Sequence, residues 1–160
     1  MLVLLLRHAE AADRDAERYP DDSLRPLVRK GEKIQRAVSR DLRKRKLIPG
    51  RVFSSPWKRA WQTARILVEE TGLPKKSRIA TPSLAGTPDL AAISAAIGPV
   101  TPDDTIALVG HDPWIGELAA LLLTGKGDGL RSDFAKSGVM GIDLDEFKQG
   151  AGTLRFFLRP

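Results

Sequence analysis

Residues 2–6 of the chain read LVLLL, and Arg7 and His8 follow them directly. Five consecutive apolar residues are typical of a strand that is buried on both faces in the middle of a parallel sheet. In α/β proteins, the groups that bind ligands commonly lie just beyond the carboxyl ends of such strands. Arg7 and His8 therefore either belong to a binding site or only mark where the strand reaches solvent, and this stretch alone does not separate the two.

Apolar runs of strand length alternate with segments of helical periodicity along the rest of the chain. Strands are predicted over residues 2–6, 51–54, 79–81, 105–109, 139–144 and 153–158. Helices are predicted after Pro56, over residues 90–97, after Pro113, and around an apolar stripe formed by Ile34, Ala37, Val38 and Leu42. The alternation indicates an α/β fold, a three-layer sandwich around a mostly parallel sheet. Only DEFKQGAG separates the last two strands, which is too short for a crossover helix and predicts a hairpin with an antiparallel strand.

The length and composition fit one folded domain. The chain has 160 residues, of which 42% are hydrophobic and 29% are charged, so we expect a single globular domain over residues 1–160. It has no cysteine, which excludes disulfides and thiolate zinc sites. The opening apolar run follows no basic segment and is too short for a secretory signal or a membrane span, so we expect a cytoplasmic location and no membrane partner.

The net charge of +6 is compatible with acidic partners such as nucleic acid, phosphoproteins or phosphorylated metabolites. Much of the excess lies in RDLRKRKLIPGR, residues 40–51. We interpret this stretch as the solvated end of a helix, where basic side chains complement the helix dipole. It has no interleaved aromatic residues for base stacking and no surrounding nucleic-acid motif, so no nucleic-acid partner is expected.

Two further stretches place polar groups just after a predicted strand. In VFSSPWKRAWQTA, Ser55 is predicted to cap the next helix and Arg59 falls in the first turn of that helix. In ALVGHDPWIGELAALLL, His111 lies between the end of a strand and a helix that opens at Asp112. Helix N-termini favour anions, and helical side chains lean towards the N-terminus, so Arg59 can reach the same spot. Because both histidines of the chain follow strands, the pattern favours a shared anion site.

Metal binding is the competing explanation for two histidines. It needs a third protein ligand, and the sequence has no HxxxH or HxH spacing. Glu10, Asp13 and Asp112 could supply oxygens, but the surrounding arginines would repel a cation. We therefore expect neither a metal ion nor a cofactor.

Four stretches in this order resemble the histidine phosphatase superfamily, which has the phosphoglycerate mutase-like fold. They are LRHAEA, RPLVRKGEKI, SSPWKRAWQTA and LVGHDPWIGELA. The likeness runs over nearly the whole chain, and the short length looks most like the SixA-type phosphohistidine phosphatases. The chain departs from the family in three places: Ala9 replaces a glycine, Val28 replaces a threonine that caps the next helix, and PSLAGTPDL lacks the glutamate that larger relatives use as a proton donor.

The resemblance implies roles for individual residues. His8 matches the nucleophile that becomes transiently phosphorylated, and Arg7, Arg59 and His111 match the groups that hold the phosphoryl oxygens. Ser55 and Asp112 are further candidates for substrate binding, and Glu10 and Asp89 are candidate proton donors. We expect the arginines to lower the pKa of His8, which keeps it unprotonated at neutral pH.

The lack of the family's glutamate proton donor affects which substrate class is expected. An alkoxide that leaves a phosphate monoester needs a proton donor, whereas the imidazole of phosphohistidine can be protonated on its second nitrogen and depart neutral. The leading hypothesis is therefore a metal-independent phosphatase that acts on phosphohistidine in a signalling or phosphotransfer protein. The alternatives are a phosphatase for small-molecule or sugar phosphate esters and, from another class, a non-catalytic module that binds phosphate or another oxyanion.

The cover over the site is a further expectation. The short chain leaves little to cover it, which would admit a histidine displayed on another protein. The polar stretch AADRDAERYPDDS, residues 11–23, comes shortly after His8 and is either a flap over the site or an ordinary surface loop.

Overall fold

The opening apolar run forms a central strand of a six-stranded sheet in the computed structural model, which describes residues 1–160. The strands are β1 (Leu2–Arg7), β2 (Arg51–Ser54), β3 (Arg78–Ala80), β4 (Thr105–Gly110), β5 (Val139–Leu144) and β6 (Gly152–Leu158). The helices are α1 (Arg29–Lys44), α2 (Lys58–Thr71), α3 (Leu90–Ile97) and α4 (Trp114–Thr124), with short 3-10 helices at Asp22–Leu24, Lys75–Ser77 and Pro82–Leu84. No helix combines the length and the apolar character that a membrane crossing requires.

The strand order is β3-β2-β4-β1-β5-β6. β1 pairs in parallel with β4, β4 with β2, and β2 with β3. β5 runs antiparallel to its two neighbours, β1 and β6. The predicted α/β architecture, with its closing hairpin and one antiparallel strand, is thus confirmed. Because β1, β4 and β2 are adjacent and parallel, their carboxyl ends meet at one edge of the sheet.

β1 is buried on both faces, which explains why it consists of leucine and valine. Val3 and Leu5 belong to a core cluster that includes residues of α3 and α4. Leu2, Leu4 and Leu6 belong to a second cluster that includes residues of α1 and α2. The sheet therefore carries two helices on each face. Burying each of these side chains stabilises the fold by about 1.5–3 kcal/mol.

The apolar stripe predicted for α1 is confirmed at Leu42, which is buried, and at Val38, which packs against the same core cluster, but it is wrong at Ala37, which is exposed. The buried residues of α1 are Gly31, Gln35, Ser39 and Leu42. The amide nitrogen of Gln35 donates to the hydroxyl of Ser39 at 3.1 Å, which lets two polar side chains be buried together. Gly31 packs so closely that an added Cβ would collide with the backbone oxygen of Glu10. The buried face of α1 thus combines Leu42 of the predicted stripe with a glycine and two polar residues that hydropathy does not mark.

The predicted helix cap at Ser55 is also wrong. α2 begins at Lys58 and has no side-chain cap. The Ser55 hydroxyl instead accepts from the backbone nitrogen of Trp57 at 3.2 Å and lies 2.8 Å from Nε2 of His111. The hydroxyl is used at the sheet edge, so the helix starts later, but Arg59 still falls in its first turn.

The basic stretch at residues 40–51 includes the exposed last turn of α1, as expected for a solvated helix end. Arg40 pairs with Glu70 of α2 at 2.6 Å, and Arg45 pairs with Asp41 at 2.7 Å. Part of the positive charge is therefore neutralised within the chain.

Candidate active site

The carboxyl ends of β1, β4 and β2 bring the predicted site residues together. His8 follows β1, and its backbone nitrogen donates to the oxygen of Gly110 in β4 at 3.0 Å. Ser55 follows β2, and its backbone nitrogen donates to the oxygen of Val109 at 3.0 Å. The ring centroids of His8 and His111 consequently lie 5.1 Å apart. The two histidines of the chain face one site.

His8 is held as a neutral ring with its lone pair on Nε2. Its Nδ1 lies 2.7 Å from the backbone oxygen of Ala9, which can only accept, so Nδ1 carries the proton. Nε2 then has a lone pair, and Arg59 donates to it through Nε at 3.2 Å. Burial lowers the pKa of His8 to about 3, and the charges of His111, Arg59 and Arg7 act in the same direction against the opposing effect of the Ala9 carbonyl. The lowered pKa agrees with the expectation, but burial rather than the arginines is its main cause.

Ser55 determines which nitrogen of His111 carries the proton. The Ser55 hydroxyl is fully buried and already accepts from Trp57, so its own proton is satisfied only if it donates to Nε2 of His111. His111 then carries its proton on Nδ1, a buried atom without a hydrogen-bond partner. Burial, followed by the charge of Arg59, lowers the pKa of His111 to about 3. His111 is thus a neutral donor beside His8.

Arg59 is engaged on every side, and its partners include a residue that the sequence did not single out. Its Nη1 donates to the backbone oxygen of Asp22 at 2.8 Å, and its Nη2 lies 3.1 Å from Oδ2 of the same aspartate. Arg25 donates from Nε to Oδ1 of Asp22 at 2.8 Å, and this hydrogen bond is the main reason why the pKa of Asp22 lies below its ordinary value. No local pattern distinguishes Asp22 from the other aspartates of the loop, because its role depends on how that loop folds back.

The same loop covers the site, which corrects the expectation of an open one. Only 8% of His8, 3% of His111 and 3% of Arg59 are exposed. Arg25 also donates to the backbone oxygen of Ala12 at 2.6 Å and so ties the two ends of the loop together. Through Asp22, residues 12–25 pack back onto Arg59, so the position of the loop matches the flap interpretation.

Arg7 lies at the end of β1 with a buried donor that has no partner. Its Nη1 donates to the backbone oxygen of Phe134 at 2.6 Å and lies 3.7 Å from Oδ2 of Asp112. Its Nε is buried and has no hydrogen-bond partner. A carboxylate beside Arg7 would repel a phosphoryl oxygen, so the structure favours a role for Asp112 in holding Arg7 rather than in binding substrate.

Neither candidate proton donor contacts the two histidines or Arg59. The carboxylate of Glu10 lies 3.4 Å from Nζ of Lys30. Asp89 caps α3, because its Oδ1 accepts from the backbone nitrogens of Ala91 and Ala92 at 2.9 and 3.1 Å. The side chain of Asp89 is thereby engaged at the start of another helix.

Thr63 connects the residue after the nucleophile to α2 and was not expected from the sequence. Its hydroxyl accepts from the backbone nitrogen of Ala9 at 3.0 Å and donates to the backbone oxygen of Arg59 at 2.7 Å. Ala9, which replaces the family's glycine, is fully buried. Val28, which replaces the family's threonine, precedes α1 without any side-chain cap.

The arrangement suits a tetrahedral oxyanion. Nε of Arg7 and Nδ1 of His111 are buried donors without partners, and such atoms destabilise a fold unless a ligand satisfies them. The guanidinium of Arg59 lies against Nε2 of His8, the one lone pair that can attack. Cationic and neutral donors therefore surround the neutral ring of His8.

Comparisons with known proteins agree with this geometry. The family model of the histidine phosphatase superfamily (branch 1) matches residues 3–80. Phosphohistidine phosphatase SixA of Escherichia coli (strain K12) is 30% identical over 162 aligned residues, which cover 100% of this chain and 94% of that protein. The solved structure of protein histidine phosphatase SixA complexed with tungstate is similar with a TM-score of 0.84 and 30% identity, over 100% of this chain and 97% of that chain.

A more distant solved structure shares the fold. Mycobacterial glucosyl-3-phosphoglycerate phosphatase, solved in complex with VO3, has a TM-score of 0.70 at 19% identity, over 97% of both chains. Taken with the full-length match at 30% identity, the family is clear. The chain belongs to the histidine phosphatase superfamily and is a phosphatase.

Proposed function

We propose that residues 1–160 form a single metal-independent phosphatase domain that removes the phosphoryl group from phosphohistidine on another protein. The observation that carries the proposal is the state of His8: a buried, neutral ring whose Nε2 faces Arg59 while Ala9 holds the proton on Nδ1. The full-length similarity to the Escherichia coli phosphohistidine phosphatase supports the same substrate class.

In the first step, Nε2 of His8 forms a bond to phosphorus and the bond from phosphorus to the substrate nitrogen breaks. The electron pair of the broken bond stays on that nitrogen, and the substrate imidazole leaves neutral because its second nitrogen keeps a proton. Nε of Arg7, a donor without a partner, and Nη2 of Arg59, in exchange for the Asp22 carboxylate, hold the phosphoryl oxygens. The Nδ1 proton of His111 makes a further hydrogen bond to them. In the second step, water attacks phosphorus, loses its proton to solvent, and His8 leaves as a neutral ring.

The carboxylates near the site favour a P–N bond over a P–O bond. Asp22, the carboxylate nearest to Arg59, has a lowered pKa because Arg25 donates to it, so it is ionised and a poor proton donor. Glu10 and Asp89 are engaged with Lys30 and with the start of α3. An alkoxide would therefore leave without a proton donor, whereas a protonated imidazole needs no proton donor to leave as a neutral ring.

One observation favours the second candidate, a phosphatase for small-molecule or sugar phosphate esters. Only 8% of His8 is exposed. A small molecule reaches such a buried side chain more easily than a histidine on a folded protein does. Under the leading proposal, residues 12–25 must move to admit the partner. A non-catalytic phosphate-binding module would use the same donors without turnover.

The test compares hydrolysis of a phosphohistidine-bearing protein with that of para-nitrophenyl phosphate, with and without chelator. We expect much faster turnover of the phosphoprotein, no effect of chelator, and loss of activity in His8→Ala. Asp103→Asn, an exposed position before β4 at the opposite edge of the sheet, serves as the control. Preference for the aryl ester would support the small-molecule candidate, and phosphate binding without turnover of either compound would support the binding module.

A further inference from the structure

Two tryptophans flank the histidine pair on its solvent side. The ring centroids of Trp57 and Trp114 lie 4.6 and 6.2 Å from that of His111, and 6.1 Å from each other at an interplanar angle of 77°. Both indoles are partly exposed, whereas His8 and His111 are buried. A group attached to a phosphoryl in the site can therefore contact these two rings where it extends towards solvent.

The two rings are held in place by the same elements that build the site. Trp57 immediately precedes α2, and its backbone nitrogen donates to the Ser55 hydroxyl. Its ring lies 4.7 Å from the guanidinium carbon of Arg59. Trp114 is the first residue of α4, which follows β4 and His111. Rings fixed at two helix starts present their surfaces without a large loss of conformational freedom on binding.

Packing of the core does not account for these indoles. Neither Trp57 nor Trp114 is among the residues of the hydrophobic clusters. The third tryptophan, Trp61, gives a contrast: it lies on α2 under the guanidinium of Arg78, at 4.0 Å, and contacts neither histidine. Two large aromatic side chains left partly exposed beside a candidate active site are typical of ligand recognition.

The direction of the reaction determines what these rings meet. An in-line attack by His8 places the leaving group on the far side of phosphorus from the nucleophile. His8 is buried and the two indoles beside His111 are partly exposed, so a leaving group that departs towards solvent can meet them. We infer that Trp57 and Trp114 form a leaving-group subsite that stacks a planar aromatic ring, namely the imidazole of phosphohistidine. This inference rests on the proposed function and adds to it a residue-level reason for the choice of leaving group.

The experiment compares two P–N substrates that differ in the ring alone. Phosphoimidazole releases an aromatic ring, and phosphoramidate releases ammonia. The readout is the ratio of kcat/KM for phosphoimidazole to kcat/KM for phosphoramidate, which cancels general losses of activity or folded protein. We expect Trp57→Leu and Trp114→Leu each to lower this ratio about three- to ten-fold, as expected for loss of one aromatic contact. Trp57→Phe should restore most of it, and Trp61→Leu should leave it at the wild-type value.

An unchanged ratio in both leucine variants would overturn the subsite. The comparison of para-nitrophenyl phosphate with glycerol phosphate tests the subsite separately from the proposed function, because both are esters. If the wild type hydrolyses the esters but no P–N compound, the proposed function fails, and a lower aryl-to-alkyl ratio in the leucine variants would still support an aromatic subsite. If P–N compounds are hydrolysed and neither ratio changes, the subsite alone fails.

Discussion

At the scale of single residues, Ser55 controls the protonation of His111 through one hydroxyl group. Its hydroxyl has one proton and two lone pairs, and the structure uses one lone pair for Trp57 and the proton for His111. Under the proposed function, a neutral His111 then presents Nδ1–H to the phosphoryl oxygens without having to be charged. A hydroxyl that follows β2 thereby fixes the chemistry of a ring that follows β4.

Ser55→Ala should release His111 from this tautomer. Without the hydroxyl donor, Nε2 gains the proton in part of the molecules, and we expect kcat/KM to fall about ten-fold, in line with the loss of one buried hydrogen bond. Nitrogen NMR of the two histidine rings is the direct measurement: the wild type should show both protons on Nδ1, and the variant a mixed signal for His111. The matched control is Ser54→Ala, which removes a neighbouring buried hydroxyl that donates to the backbone oxygen of Ser55.

The main cationic and histidine side chains of the site could be predicted from the sequence, because each follows a strand or opens a helix. His8, His111 and Arg59 are brought together by short local connections, and parallel pairing of adjacent strands does the rest. Asp22 and Thr63 could not be predicted in this way. Their roles depend on a loop and a helix face folding back onto the site, and no local periodicity records such contacts.

At the scale of elements, the packing of α1 against the segment after His8 is tight enough to test. Gly31 gives the helix backbone contact with the backbone of Glu10, two residues beyond the nucleophile. The stripe predicted from apolar residues included Leu42 of this face but not Gly31, Gln35 and Ser39, because a glycine and a Gln35–Ser39 hydrogen bond have no hydrophobic signal. Tertiary contact decides which face of such a polar helix is buried.

Gly31→Ala should destabilise the protein by about 1–3 kcal/mol despite the better helix propensity of alanine, because the new methyl group overlaps the oxygen of Glu10. We also expect lower kcat, because the shift would be transmitted to the neighbouring His8. Urea unfolding and steady-state kinetics measure the two effects. Gly50→Ala is the control, since a Cβ there would have its nearest neighbour at 3.9 Å. Equal stability of the two variants would show that the α1 contact is loose.

At the scale of the whole molecule, the two histidines link folding to pH. Both have a pKa of about 3 in the folded protein, against 6.5 for an unperturbed histidine. Between these values the unfolded chain binds protons that the folded chain does not. The contribution of the two histidines to stability is therefore fully present above the pKa of histidine in the unfolded chain. It is lost as the pH falls from about 6.5 towards 3.

Acidification from about pH 7 to about pH 5.5 should lower the free energy of unfolding by about 1 kcal/mol for each histidine. Aspartates and glutamates titrate mostly below this window, so the histidines dominate it. Urea unfolding at the two pH values checks the expectation in the wild type, His8→Gln and His111→Gln. The readout is the change in the free energy of unfolding between the two pH values and not the absolute stability. In each variant this change should be about half of that in the wild type. A wild-type difference near zero would contradict the buried neutral state of both rings.

Under the proposed function, in which Arg59 binds the phosphoryl group, Asp22 gives this arginine a counter-ion that belongs to the chain. Because its carboxylate is tethered beside Arg59, its local concentration does not fall on dilution. Phosphate binding is then an exchange of anions at one guanidinium, and the departing product is replaced by a carboxylate rather than by bulk ions. Asp22→Asn keeps an oxygen that can accept but removes the charge, so the inhibition constant of inorganic phosphate should fall several-fold. A higher constant would mean that the aspartate mainly positions Arg59. With the native residue, product inhibition is weakened by competition from within the same molecule.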